Sequence, residues 1–339
     1  MERPIKVCFV GCGGIAGAHL RALRDLPDLF QVVACCDVVS EAAQKRAAEV
    51  GGAAVYTDYE EAIKSSGCDV VAITLPHHLH RPVGLVAAQE KKHIFVEKPM
   101  ANNLTEAIEM VQASEQAGKM LMVGQTQRYM AVHRKVKEIL ESGQIGRVLY
   151  VRASVDQFLA AIRGPGDWLF KKDLAGGGSV ISIGVHKIDL LRWLVGEVES
   201  VFAVERISGI NPGMDCEDIS TALLEFEDGA VADLGSLYAA RQSPWGELLT
   251  IYGSEGVIHN IGGWFLSGNG TGPSAWQALE YERNDPFKAE WEHFGHCLLS
   301  GEQPLTSGAD NLRTMAVIEA IYLSARSHHP VSVKDLLPS

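Results

Sequence analysis

Ile5-Lys6-Val7-Cys8-Phe9-Val10-Gly11-Cys12-Gly13-Gly14-Ile15-Ala16 is the stretch on which the fold turns. A short apolar run ends in glycines, and a helical pattern follows over residues 16–24. A strand that turns on glycines into a helix opens a βαβ unit. The glycine segment fits G-x-G-x-x-A. Gly11 permits a tight turn, Gly13 lets a pyrophosphate approach the backbone, and Ala16 lets helix and strand pack closely. Gly14 and Ile15 open the helix, whose free N–H groups and positive dipole end suit phosphate. Asp37 follows Ala16 by 21 residues and ends the second apolar run, where an acid can accept from a ribose hydroxyl. These features predict dinucleotide binding. A carboxylate there repels a 2′-phosphate, and Val38-Val39-Ser40 adds no cation, so NAD is expected over NADP. Lys45 and Arg46 keep NADP as the alternative.

Outward from this stretch, strand-like runs recur at residues 31–36, 70–74, 93–96 and 120–123. Helical patterns separate them at 41–50, 82–90 and 104–117. The alternation predicts a mostly parallel sheet covered on both faces. Ligands of such sheets bind beyond the carboxyl ends of the strands. Two segments fall there. Thr74-Leu75-Pro76-His77-His78-Leu79-His80 follows the third strand; Thr74, Leu75, Pro76, His77 and His80 are cofactor-side candidates, with His80 expected to fix the loop. Glu97-Lys98-Pro99 follows the fourth; Glu97 and Lys98 are cofactor-side candidates, and Lys98 places a cation beside the cofactor. Three histidines in four positions invite a metal reading, but no cysteine or carboxylate cluster accompanies them, and no metal is expected.

Beyond residue 125 the pattern changes. One amphipathic helix, 131–141, precedes alternating runs at 148–155, 201–207, 219–226, 231–237 and 248–252. Glu227-Asp228-Gly229 and Gly253-Ser254-Glu255-Gly256 read as hairpin turns, so an α+β domain with a mainly antiparallel sheet is expected. The domains are placed at 1–125 and 126–339. Helices are expected at 287–299 and 312–326, and the loosest stretch is Gly262 to Pro273. Within this half, Gly176-Gly177-Gly178 allows a close backbone approach. It leads into a helical run, 185–195, with His186, Asp189 and Trp193 on one side. His186 is the candidate base and Lys98 the cation that would hold the same oxygen. Arg128, Tyr129, Trp168, Ser182 and Asp189 are further substrate-site candidates.

A net charge of −12 argues against nucleic acid or an anionic membrane as partner. No apolar run reaches the ~18 residues of a membrane span, and no signal peptide precedes the first strand. The seven cysteines contain no CxxC pair and lie partly in apolar runs, which predicts reduced, mostly buried thiols in a cytoplasmic protein. The expected helices are too few to cover both faces of the second sheet. Val148, Tyr150, Val201, Ala203, Leu223 and Val231 are therefore assigned to a subunit interface.

The chain resembles the Gfo/Idh/MocA oxidoreductases. The resemblance rests on GCGGIAGAH at 11–19, EKP at 97–99, GQTQRY at 124–129, GGGSVISIGVHKID at 176–189 and GSEG at 253–256. It implies an N-terminal Rossmann domain and a C-terminal domain with a large open sheet that makes homodimers or homotetramers. It also implies NAD(P)-dependent oxidation or reduction at a hydroxyl or carbonyl of a sugar, glycoside or cyclitol. Lys98 matches the family lysine at substrate and nicotinamide, and His186 the family's catalytic histidine. Many members carry aspartate where this chain has Ser182, and a serine supplies no charge to stabilise an imidazolium. Two alternatives stand beside this: a redox-assisted glycoside hydrolase or lyase with tightly held NAD, which needs the same sites, and an NAD-binding sensor without turnover, against which the presence of both Lys98 and His186 argues.

Overall fold

The computed structural model describes residues 3–164, 166–244, 246–268 and 276–338. They form two compact units: Met1–Tyr129 with Asn284–Leu312, and Met130–Arg283 with Arg313–Ser339.

The first unit holds six parallel strands: β1 (Ile5–Val10), β2 (Phe30–Cys36), β3 (Ala54–Tyr56), β4 (Val70–Ile73), β5 (His93–Glu97) and β6 (Leu121–Gly124). Their spatial order is β3-β2-β1-β4-β5-β6, the dinucleotide-binding arrangement. Val7, Cys8 and Phe9 in β1, and all four residues of β4, are fully buried. A parallel sheet clothed on both faces demands such runs. The strand order reverses between β1 and β4, and this opens a crevice at their carboxyl ends.

From sequence the boundary is expected at 125/126. In the structure the segment 284–312 returns to the first unit, and packing explains why. Trp291, on the helix Pro286–Ser300, is fully buried and stacks on Phe95 of β5 at 4.3 Å between ring centroids. It also meets Phe9 and Phe30. Losing an indole from such a place costs about 3–5 kcal/mol, so this contact is a main anchor of the helix.

The second unit is built on β7 (Val148–Asp156), β8 (Val198–Arg206), β9 (Ile219–Phe226), β10 (Val231–Leu237), β11 (Glu247–Gly253), β12 (Val257–His259), β13 (Phe265–Ser267), β14 (Trp276–Ala278) and β15 (Val331–Ser332). Their order is β14-β13-β12-β11-β7-β10-β9-β8-β15. Only β7 and β10 pair in parallel, so the sheet is mixed and mainly antiparallel. Both expected hairpin turns are present, between β9 and β10 and between β11 and β12. Of the stretch 262–273, residues 269–273 lie outside the described residues.

Burial alternates along these strands with period two, the mark of a half-covered sheet. The six residues assigned from sequence to one interface fall on both faces. Val201 and Ala203 are buried, and Ala203 N–H donates to Ser324 Oγ of the helix Gly308–Ser327. Leu223 is exposed, while Tyr150 and Val231 are half-buried on Leu223's side of the sheet. That open face also carries Phe202, Tyr252 and an Arg152–Asp233 ion pair. All seven cysteines are free and buried. Among the described residues no helix is long and apolar enough to cross a membrane.

Candidate functional site

Gly11 has φ +97°, and a Cβ there would lie 2.5 Å from Thr74 O. Only glycine fits both restraints. Thr74 seals the junction of β1 and β4, with Oγ1 donating to Gly11 O at 2.7 Å. Gly13 and Gly14 face open space: a Cβ on either would meet nothing within 4 Å. The helix Gly14–Arg24 has no side-chain cap and no acid in its first turn, so its N–H groups and dipole are available to an anion. Ile15 is exposed, while Ala16 is fully buried against the sheet. Asp37 is held before any ligand arrives: Oδ2 accepts from Cys12 N–H at 2.8 Å and Oδ1 from Val39 N–H at 2.9 Å. Each oxygen keeps a second lone pair for a ribose hydroxyl. These features fit a dinucleotide. Arg46, close enough in sequence to suggest a phosphate clasp, grips the glycine loop instead. It bonds both Glu49 oxygens, donates to Gly13 O at 2.8 Å, and also reaches Cys12 O.

Pro76 precedes a 3₁₀ turn, His77–Leu79, and His80 begins the helix His80–Gln89. His77 and His80 are both buried. The two ring nitrogens of His80 each lie 2.8 Å from a carbonyl, Leu75 O and Pro99 O. One imidazole thus ties the loop after β4 to the loop after β5, as the sequence suggests; burial pushes its pKa down. Among the described residues no group of three or more His, Cys, Asp or Glu is arranged to hold a metal ion.

Glu97 ends β5 and is buried. Its Oε1 lies 2.7 Å from His19 Nε2, and its Oε2 accepts from Lys98 N–H at 3.1 Å. Burial pushes the Glu97 pKa up. Burial is the largest single influence, but His19 and Lys98 together outweigh it, and the carboxyl is held below its ordinary value. Lys98 therefore leaves the sheet edge from a buried carboxylate. Sequence spacing marks Lys98 but is silent on its support.

Arg128 and Tyr129, expected near substrate, are buried with their polar ends engaged inside the first unit. Arg128 donates to Asp310 at 2.8 Å and to Leu305 O at 3.2 Å; Tyr129 Oη lies 3.4 Å from Thr306 Oγ1. The returning segment 284–312 supplies all three partners.

In the second unit, Gly176 closes a short helix, Lys172–Ala175, with φ +80°. A Cβ on Gly177 would lie 2.0 Å from Tyr322 Oη, and one on Gly178 only 1.7 Å from Glu217 O. The glycine run exists because two side chains and a backbone converge on it. Glu217 accepts N–H bonds from Gly178 at 2.8 Å and Val180 at 3.0 Å, and Tyr322 O–H donates to it at 3.2 Å. Its carboxylate caps the π turn Val180–Gly184, which runs straight into the helix Val185–Leu194. A π turn inside a helical run often marks a functional site. Burial raises the pKa of Glu217, against these hydrogen bonds. Burial, with the Glu217 charge, also pushes nearby Glu205 up to about 8.

Ser182 and His186 ride this turn and helix. Ser182 is buried near the Tyr238 phenol, whose pKa is raised by burial. His186 is half-buried. Asp189 is buried and accepts from Thr314 O–H at 3.0 Å, in a network that continues through Arg192 to Glu197. Its partner is thus protein rather than open space. Trp168 begins a 3₁₀ turn, Trp168–Phe170, and packs on an apolar cluster that includes Phe170 and Tyr238. The parts that sequence missed are Glu217, Tyr238, His19 and Trp291. No local pattern marks them, since each acts on a residue 39 or more positions away.

A dinucleotide cradle at the switch point of a parallel sheet, joined to a second unit with an open mixed sheet, defines a two-domain nucleotide-dependent oxidoreductase. Residues 5–125 match the model of the oxidoreductase family with an NAD-binding Rossmann fold, and residues 133–259 match the GFO/IDH/MocA C-terminal domain. The chain is 31% identical to D-apiose dehydrogenase of Paraburkholderia graminis, over 98% of this chain and 91% of the relative. It is 27% identical to the NAD(+) scyllo-inositol 2-dehydrogenase of Bacillus subtilis, covering 98% and 97%. It is also similar to the structure of an oxidoreductase from Agrobacterium radiobacter in complex with NAD+, L-tartaric acid and magnesium. That match has a TM-score of 0.88 and 28% identity, covering 98% and 99%. The chain belongs to the Gfo/Idh/MocA family of NAD-binding oxidoreductases.

Proposed function

We propose that this enzyme oxidises a ring hydroxyl of a sugar, glycoside or cyclitol, with NAD as the acceptor. The observation that carries this reading is the placement of Lys98. It stands at the carboxyl end of β5, on a buried carboxylate, in the sheet whose β1 end forms the open glycine cradle. Gly13, Gly14 and the start of the first helix would hold the pyrophosphate, and Asp37 the adenosine ribose. The relatives named for apiose and scyllo-inositol support a polyhydroxylated ring or furanose as substrate. When bound, NAD supplies the hydride acceptor. His186 accepts the proton of the reacting hydroxyl on a ring nitrogen, which requires an approach of ~3 Å. The Lys98 ammonium holds the same oxygen and stabilises its developing negative charge. Ser182 brings no carboxylate to His186, so the imidazolium formed in turnover relies on its other surroundings.

The test is a screen of NADH formation with inositols, pentoses, hexoses and glycosides, run in parallel with NADP. Stoichiometric NADH is expected from at least one ring polyol, with NAD preferred because Asp37 repels a 2′-phosphate and Arg46 is bound to Glu49 and Gly13. Cleavage of a glycoside without net NADH would overturn the dehydrogenase reading. Equal use of NADP would overturn the role given to Asp37.

The open face of the second sheet supports assembly. Phe202, Leu223 and Tyr252 are each at least 38% exposed there. Large apolar side chains exposed on one sheet face, here flanking an ion pair, support a partner surface. Light scattering should give two or four times the 36.7 kDa chain mass, and Leu223→Lys should shift the mass toward the monomer. A parent protein that runs as a monomer refutes the assignment. The seven buried free thiols fit a reducing, cytoplasmic compartment.

A further inference from the structure

His19 lies in the helix after the glycine loop and is fully buried, yet it touches no open surface. It sits edge-on to Phe95, Phe287 and Trp291, with centroids 5.0–6.0 Å away. Its two nitrogens are both used. Trp291 Nε1–H donates to Nδ1 at 3.0 Å. An indole N–H can only donate, so Nδ1 must present its lone pair. The ring proton is then on Nε2, aimed at Glu97 Oε1 at 2.7 Å. The second Glu97 oxygen receives the Lys98 N–H. Donors thus converge on the Glu97 carboxylate from two sides, Trp291 through His19 on Oε1 and the Lys98 N–H on Oε2, in a buried setting where each link is strengthened.

We propose that His19, oriented by Trp291, is a positioning residue for Lys98: it fixes the Glu97 carboxylate, which in turn sets the Lys98 backbone and balances the ammonium charge. The inference rests on the reading that Lys98 holds the reacting oxygen. Without the Nε2–H donor, Glu97 would be a buried carboxylate short of a hydrogen-bond donor, and such a group takes up a proton more readily. The titratable groups acting on Glu97 are His19 from the first helix, His80 from the helix His80–Gln89, and Lys98 beside it. With His19 gone, His80 and Lys98 remain, and burial outranks Lys98 among the causes.

The sign follows. In the parent, Glu97 stays ionised well into the acid range. In His19→Phe, which keeps the aromatic packing, Glu97 is protonated at neutral pH and ionises only as pH rises. The experiment measures kcat, KM and NAD affinity across pH for the parent, His19→Phe, His19→Gln, Glu97→Gln, the double variant and Lys98→Met. For His19→Phe, kcat should fall about tenfold at neutral pH, with KM and NAD affinity within about twofold. A new ascending limb should restore much of kcat at alkaline pH. His19→Gln, which retains a donor, should restore most of the activity. Adding Glu97→Gln should abolish the new limb, since nothing remains to titrate. A folded His19→Phe with the parent's pH profile overturns the inference, because a packing role moves melting temperature and not that profile. Should His19→Phe not fold, Trp291→Phe removes the donor that fixes the tautomer and should show the same limb, weaker; a parental profile there counts equally against. If Lys98→Met itself turns over normally, the Lys98 reading and this inference fall together; if Lys98→Met is inactive and the His19 profiles are parental, only the inference falls.

Discussion

Lys98→Met is expected to lower kcat by about 10²-fold or more, and His186→Ala by a similar factor. The two losses have different causes, and pH separates them. Methionine keeps the aliphatic bulk of Lys98 and removes the charge, so the developing alkoxide loses its nearest cation at every pH. Alanine at 186 removes the base, so hydroxide can replace it in part and the loss should shrink as pH rises. NAD affinity should change little in either variant, because the glycine cradle and Asp37 are untouched. Steady-state kinetics with the substrate found in the NADH screen, alongside NAD titration, checks both. Near-normal turnover of His186→Ala across pH would assign the histidine to structure.

Gly178→Ala should cause the largest loss of stability of any single methyl addition in the second unit. Its Cβ would lie 1.7 Å from Glu217 O, a backbone atom that also accepts the Ser179 N–H at 2.9 Å. Moving that carbonyl away disturbs Glu217, whose carboxylate caps Gly178 and Val180. Overpacking against backbone costs about 3 kcal/mol, and for a unit of this size that lowers Tm by roughly 6–12 °C. The same shift displaces the turn bearing Ser182 and His186, so kcat should fall along with stability. Gly164→Ala, where the added methyl meets nothing within 4 Å, is the control and should leave Tm within about 2 °C. Calorimetry of both variants decides it; equal melting would mean that the glycine run is not a close-packing device.

What was legible in the sequence is what short-range chemistry records. Short apolar runs mark β1, β2, β4, β5 and β6, and period 3.6 marks the helix Val185–Leu194, whereas the three-residue β3 (Ala54–Tyr56) is too short and too exposed to stand out. The left-handed turn at Gly11 demands glycine, and the reach of a strand–helix–strand unit sets the distance to Asp37. The carboxyl end of β5 is where a parallel sheet presents its residues, so Lys98 was visible from its place in the pattern.

Tertiary structure decided the rest, because those contacts join residues whose separation leaves no periodic trace. Trp291 and His19 are 272 positions apart, and Arg128 and Asp310 are 182 apart. Tertiary packing such as that of Trp291 on Phe95 returns segment 284–312 to the first unit, and that segment supplies the partners of buried Arg128 and Tyr129. Alternation along β8 and β9 showed that each strand has two faces, but not which face meets the helices. That choice required the bond from Ala203 to Ser324 and left Leu223 outside. Glu217 shows the same limit: the glycines announce a close approach, and only the folded chain supplies the carboxylate that approaches. Local spacing encodes backbone conformation, whereas the partner of a buried polar group is fixed by where the whole chain can pack without stranding it.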